Sequence, residues 1–187
     1  MNHKQDKLEA PERIKELNPA ATLMRIGLKE NDVLCDIGAG TGVFTVPAAR
    51  ITKNKVYGLD NDKDMLRIIK QKAETECLKN IELIEVEGEH FSLPDYIADI
   101  VLMVTVLHEI ENSQEFLAEA KRILKNGGKI AVIEFHKWQT PKGPPPGHRI
   151  SKKEIISRLY NAGFAVWEDF DLGENYNCLI FKLNSPA

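Results

Sequence analysis

Short runs rich in Val, Ile and Leu alternate along this chain with longer segments of helical period, a pattern that predicts parallel strands joined by helices. Strands are expected over residues 33–37, 55–59, 81–85, 100–106 and 129–135. The fourth is apolar almost throughout, as a central strand covered on both faces requires. Between them, Asn18-Pro19 reads as a capping side chain before a proline at the first helical position. Asp60-Asn61 lead into a helical segment with Met65, Ile68, Ile69 and Lys72 on one face, Asn61 being able to cap it. A further helix is expected with Ser113 as N-cap, Phe116, Leu117, Ala120 and Leu124 as its apolar stripe and Gly127 as its stop. Ser151 and Glu154 form a capping box. Residues 165–172 and 176–183 then alternate as two strands about Gly173-Glu174-Asn175, so an antiparallel hairpin ends the sequence.

The 187 residues suit a single α/β domain over 1–187, divided as an N-terminal helical cover (1–30), a core (31–135), a proline-rich loop (136–150) and a terminal helix with its hairpin (151–187). Composition changes this picture little: 43% hydrophobic and 28% charged is ordinary for a globular protein. A net charge of −3 supplies no basic field for a polyanion, which argues against nucleic acid as a partner. Cys35, Cys77 and Cys178 form no C-x-x-C pair and read as reduced thiols. The first residues lack the apolar core of a signal peptide, and no apolar run is long enough to span a bilayer, so a cytoplasmic location is expected.

Chemistry enters at residues 36–42, DIGAGTG, directly after the first predicted strand. Three glycines in five positions are costly unless something passes close to the backbone or the turn is very tight. A dinucleotide fold usually presents G-x-G-x-x-G at this place. Here Gly38, Gly40 and Gly42 are spaced G-x-G-x-G, which disfavours a nicotinamide dinucleotide and suits a bulky adenosyl and amino-acid ligand lying on the loop. Asp36 would organise the loop, by bonding its amides or by meeting a ligand ammonium. Asp60 ends the second strand, where an acid can accept hydrogen bonds from both ribose hydroxyls; its alternative role is to cap the next helix. Glu89 follows the third strand, where it either accepts from an adenine amine or is a solvated surface residue.

In order, VLCDIGAGTG, VYGLDND, EGEHFSLPD, DIVLMVTVLHEIEN and LKNGGKIAVIEF resemble the successive motifs of class I S-adenosylmethionine-dependent methyltransferases, from about residue 12 to residue 183. The resemblance extends to the small-molecule branch that contains the ubiquinone and menaquinone biosynthesis methyltransferases. It implies a Rossmann-like, seven-stranded, mostly parallel sheet with an antiparallel last strand and helices on both faces. It also implies S-adenosyl-L-methionine as donor and S-adenosyl-L-homocysteine as product. Asp36, Gly38 and Gly40 would lie near the methionyl part, Ala39 and Gly42 in the same loop, Asp60 on the ribose, and Asn61 and Glu89 near adenine. Thr105 would also contact the donor.

Ligands of open parallel sheets bind beyond the carboxyl ends of the strands. Thr105, His108, His136 and Trp138 are therefore expected to point toward the donor's methyl group. Methyl transfer from a sulfonium needs orientation and dryness more than acid–base help, and a base only if the acceptor is protonated. His108 and His136 are the candidate bases, His108 foremost because it follows the central strand; the alternative for each, favoured when either is taken singly, is a partly buried imidazole that holds a loop by one hydrogen bond. HEIEN (108–112) lacks the second histidine of H-E-x-x-H, so no metal site is expected. Residues 104–107, VTVL, lack the Pro-Pro-aromatic turn of enzymes acting on nucleobases and protein amides. A small-molecule acceptor is the resulting expectation. The N-terminal segment and residues 140–149 are candidate lids, with Lys142, His148 and Arg149 available to an anionic acceptor. A donor-binding module without catalysis and, less favoured, a nicotinamide-dependent oxidoreductase are the alternatives.

Overall fold

A computed structural model of the chain describes residues 3–88 and 90–184. Its internal contacts group into two units, residues 1–88 and 89–187.

In the first unit the helices α1 (His3–Leu8), α2 (Pro11–Leu17) and α3 (Pro19–Ile26) precede β1 (Leu34–Ile37), α4 (Thr45–Ile51), β2 (Val56–Asp60), α5 (Lys63–Thr75) and β3 (Ile81–Glu85). The strands run parallel in the order β3-β2-β1, with Leu34 opposite Val56 and Val56 opposite Ile81. Every residue of β1 and β2 is buried, which is why both read as unbroken apolar runs apart from Asp36 and Asp60. Ala39, Val46 and Ile69 form a buried cluster that Leu66, Leu78, Ile81 and Leu83 extend. The expected cap of α5 moves by one residue: Asp62, not Asn61, accepts the Asp64 N–H. Asn18 takes the left-handed conformation, φ 39°, and its side chain caps nothing. Its N–H instead donates to the Ile14 carbonyl and closes α2, a conformation that asparagine tolerates better than most residues.

In the second unit β4 (Ala98–Val104), α6 (Ser113–Ile123), β5 (Leu124–Phe135), α7 (Lys152–Asn161), β6 (Phe164–Leu172) and β7 (Tyr176–Leu183) follow one another. The strand order is β4-β5-β7-β6; β4 and β5 are parallel, and β7 is antiparallel to both of its neighbours. The last strand is thus antiparallel, as expected, and the seven strands among the described residues have the anticipated α/β character. Two local expectations are corrected here. Asn112 rather than Ser113 caps α6, accepting the Glu115 N–H. Gly127 does not stop a helix: α6 ends at Ile123, and residues 124–128 enter β5 through a register shift, with Gly127 at φ 83°. The capping box of Ser151 and Glu154 forms as read, both of its hydrogen bonds being made.

Candidate functional site

The glycine loop belongs wholly to the first unit. The Gly38 and Ala39 N–H groups both donate to the Leu59 carbonyl at 2.8 Å, which ties the end of β1 to β2. Gly40 sits at φ 54°, and its N–H donates to Asp60 Oδ2 at 2.7 Å. The other oxygen of Asp60 accepts the Asp62 N–H at 2.9 Å. Asp60, 8% exposed, therefore joins the glycine loop to the start of α5, and neither its own cap role nor that of Asn61 is used. Each of its oxygens keeps a second lone pair for a hydroxyl donor. Gly42 has a different reason for its identity: a β-carbon there would fall 3.0 Å from Ile69 Cγ1, so its smallness seats the loop on α5. Ala39 packs into the core beside Val46 and Ile69.

Asp36 is 1% exposed and accepts the Thr45 hydroxyl at 2.6 Å, so it anchors the loop to the first turn of α4. Burial pushes its carboxyl up to about 7, the Thr45 bond opposing and the Asp60 charge adding to the rise. An unfolded aspartate titrates near 3.8. Below that value both states hold the proton, and between it and about 7 only the folded state does. Asp36 thus lends stability that is full below pH ~4 and is lost as pH rises to about 7. Asp36→Asn should abolish this slope, which urea melts of both proteins at pH 4.5, 6 and 8 would measure.

The N-terminal helix lies against this loop. A β-carbon on Gly40 would be 3.2 Å from Leu8 Cδ1. Glu9 pairs with Lys72 at 2.5 Å, Lys72 also donates to the Thr41 carbonyl at 2.7 Å, and Lys4 meets Asp62 at 3.1 Å. Glu89 lies outside the described residues.

The second unit carries the two candidate imidazoles, His108 and His136. After β4 the chain turns at Thr105, φ 55°, whose N–H donates to the Ile133 carbonyl at 2.7 Å. The turn brings a short 3-10 segment, Leu107–Glu109, back over the end of β5. There His108 Nδ1 lies 2.9 Å and 3.2 Å from the two carboxylate oxygens of Glu134, and the His108 main-chain N–H donates to the same group at 3.2 Å. Glu134 is 1% exposed and the His108 side chain 15%. The hydrogen bond to Glu134 raises the His108 pKa above 6.5, with burial opposing and the charges of Glu134 and Glu109 adding to the rise. Glu134 is not among the sequence-predicted site residues; its signal is a carboxylate in the apolar run KIAVIEF at a strand's carboxyl end.

His136 is 3% exposed and stacks on Trp138 with ring centroids 4.0 Å apart; its Nε2 lies 3.6 Å from Asp171. Burial lowers its pKa, against the pull of Asp171. Arg149 is not available to an anionic acceptor. It is buried, and its guanidinium donates to the carbonyls of His136, Trp138, Lys142 and Pro144 and to the Thr140 hydroxyl. The proline-rich loop is thus wrapped around an internal cation rather than presenting it.

Residues 35–132 match the family model described as a methyltransferase domain, a span that holds the glycine loop, Asp60 and His108. The chain belongs to the class I S-adenosylmethionine-dependent methyltransferases. It is 32% identical to a demethylmenaquinone methyltransferase of Tropheryma whipplei over 139 residues, 74% of this chain and 56% of that protein. It is 29% identical to a ubiquinone/menaquinone biosynthesis C-methyltransferase of Francisella philomiragia over 123 residues, 64% of this chain and 49% of that protein. The chain therefore spans about half the length of these curated relatives. A crystal structure of a SAM-dependent methyltransferase from Aquifex aeolicus superposes with a TM-score of 0.91 at 29% identity, covering 96% of each chain. This agreement extends the methyltransferase fold over nearly the whole sequence. Among the described residues no helix is long and apolar enough to cross a membrane.

Proposed function

We propose that the protein transfers a methyl group from S-adenosylmethionine to a small-molecule acceptor by in-line displacement. The observation that carries the donor assignment is the Gly40–Asp60 clasp. A left-handed glycine loop is held open at its backbone by a carboxylate that still has lone pairs for ribose hydroxyls. The residues fit the donor: Asp60 would take the ribose, Gly38 and Gly40 the methionyl chain, and Asn61 and Glu89 the adenine side. Asp36 would hold the loop beneath them. Bound there, the sulfonium supplies an electrophilic methyl group, so the chain's task is to orient the acceptor and exclude water. Helix α1, resting on Gly40 through Leu8, would serve as the cover. The relatives' printed names favour a quinone-like acceptor, whose ring carries protons that must leave. His108 is then the base, and Thr105 and His136 shape the surroundings in which the acceptor is held.

Calorimetry with S-adenosylmethionine and with NADH tests the donor. Asp60→Ala should weaken S-adenosylmethionine binding about tenfold to a hundredfold, since hydrogen bonds to a charged acceptor contribute about 1.5–3 kcal/mol each. Wild-type affinity in a folded Asp60→Ala protein would refute the ribose placement, and tighter binding of NADH would refute the donor.

A further inference from the structure

The Glu134 carboxylate is buried, belongs to β5, and spends its side chain on one partner segment, residues 107–109. Its oxygens meet two nitrogens of the same residue: the main-chain N–H of His108, which donates, and the ring Nδ1, 2.9 Å away. An ionised carboxylate only accepts, so the hydrogen between it and the ring resides on Nδ1. A neutral imidazole has one hydrogen, and Nε2 is therefore left with its lone pair. Around the ring stand Glu134 on β5 and Glu109 on the same turn, its Oε1 3.7 Å from Nε2, and Arg158 on α7 reaches that turn at the Leu107 carbonyl. Arg158 spends one N–H on the Leu107 carbonyl at 3.3 Å and lies 3.7 Å from Glu154. Asn177 on β7 secures the other side of Glu134 by donating to its carbonyl at 3.1 Å.

We propose that Glu134 is a positioning residue that fixes His108 in the Nδ1–H tautomer, and that the acceptor is correspondingly one that carries its proton at neutral pH: a hydroxyl, a thiol or an acidic ring carbon. This rests on the reading of His108 as the base. In the transfer, Nε2 takes the acceptor's proton, and the electron pair thus freed forms the new bond to the methyl carbon. The pair of the breaking carbon–sulfur bond returns to sulfur, whose positive charge disappears as the imidazolium's appears. A tertiary amine or thioether has no such proton and would gain nothing from the pair. A carboxylate behind an imidazole contributes twice, by holding the ring's orientation and by stabilising the imidazolium that forms.

The test begins on the ligand-free protein. Long-range nitrogen–proton NMR on the histidine-labelled chain should show His108 with its hydrogen on Nδ1 and titrating above the ordinary imidazole value. In Glu134→Gln the carboxamide oxygen can still accept from Nδ1, so the tautomer should persist while the titration midpoint falls. An Nε2–H tautomer in the wild type, or an unmoved midpoint in Glu134→Gln, overturns the proposal. With hydroquinone and benzyl mercaptan as protonated probes, Glu134→Gln should lower kcat about tenfold to a hundredfold. Donor affinity by calorimetry should stay unchanged, and the acid limb of the pH profile should move to lower pH. A merely structural glutamate would lower the melting temperature and leave that limb in place. Failure of the base reading is separable: His108→Asn with full turnover would remove it, while the NMR result would still report what Glu134 does to the ring.

Discussion

Gly40→Val should abolish measurable S-adenosylmethionine binding while the strands and helices persist. Two effects act at this position. The backbone lies at φ 54°, a conformation that costs an L-residue roughly 1–2 kcal/mol and a β-branched one more. The new side chain would also start 3.2 Å from Leu8 Cδ1 and occupy the surface on which the donor is proposed to lie. Either the Gly40 N–H loses Asp60 or helix α1 lifts from the loop. Gly127→Val supplies the control, since Gly127 has φ 83° with nothing within 4 Å of a built β-carbon. It should show the strain as a lowered melting temperature and bind donor normally. Calorimetry and circular dichroism on the two variants separate strain from ligand contact. Normal binding by a folded Gly40→Val protein would mean that the loop does not touch the donor.

His108→Asn should lower turnover about 10²–10⁴-fold on a protonated acceptor, the usual contribution of general-base catalysis, with donor affinity little changed. The direction of the pH dependence follows from the ring's environment. The base works only when neutral, and the hydrogen bond to Glu134 holds its pKa above 6.5. Wild-type kcat should therefore fall on the acid side, beginning above pH 6.5 and losing about tenfold per unit once the ring is mostly protonated. His108→Asn should lack that limb. The corresponding His136 variant should behave differently, because His136 is buried against Trp138 and its pKa is lowered by burial. Its replacement should loosen the loop that Arg149 organises and raise KM more than it lowers kcat. Equal losses of kcat in both variants would contradict this division of labour.

What could be read from residues alone was local, or repeated with a period. The strand–helix alternation, the glycine loop with Asp60 after the second strand, the capping box at Ser151 and the terminal hairpin each depend on neighbours within a few positions. They appear in the structure close to where they were expected. The caps slipped by one residue at Asp62 and Asn112, because two adjacent capping side chains compete and the choice between them depends on how each helix packs. Gly127 was misread for a related reason: a glycine marks a left-handed position, but it does not say whether a helix end or a strand irregularity needs it.

The amino-acid sequence by itself determined the α/β class, the antiparallel last strand, the family and the position of the glycine loop. These follow from hydrophobic period, turn chemistry and motif spacing, all of which are written along the chain. The partnership of His108 with Glu134 is of another kind. The two residues are 26 positions apart, and they meet because β4 and β5 pair in parallel with Val104 opposite Ile133. The left-handed turn at Thr105 then folds the following residues back over that strand end. The fate of Arg149 was equally nonlocal: a cation that reads as exposed in a proline-rich segment is buried because the loop turns its carbonyls inward around it. Charge and residue type are properties of the sequence, whereas burial and partner are set by register between distant segments, and it is burial and partner that give a carboxylate or an imidazole its chemistry.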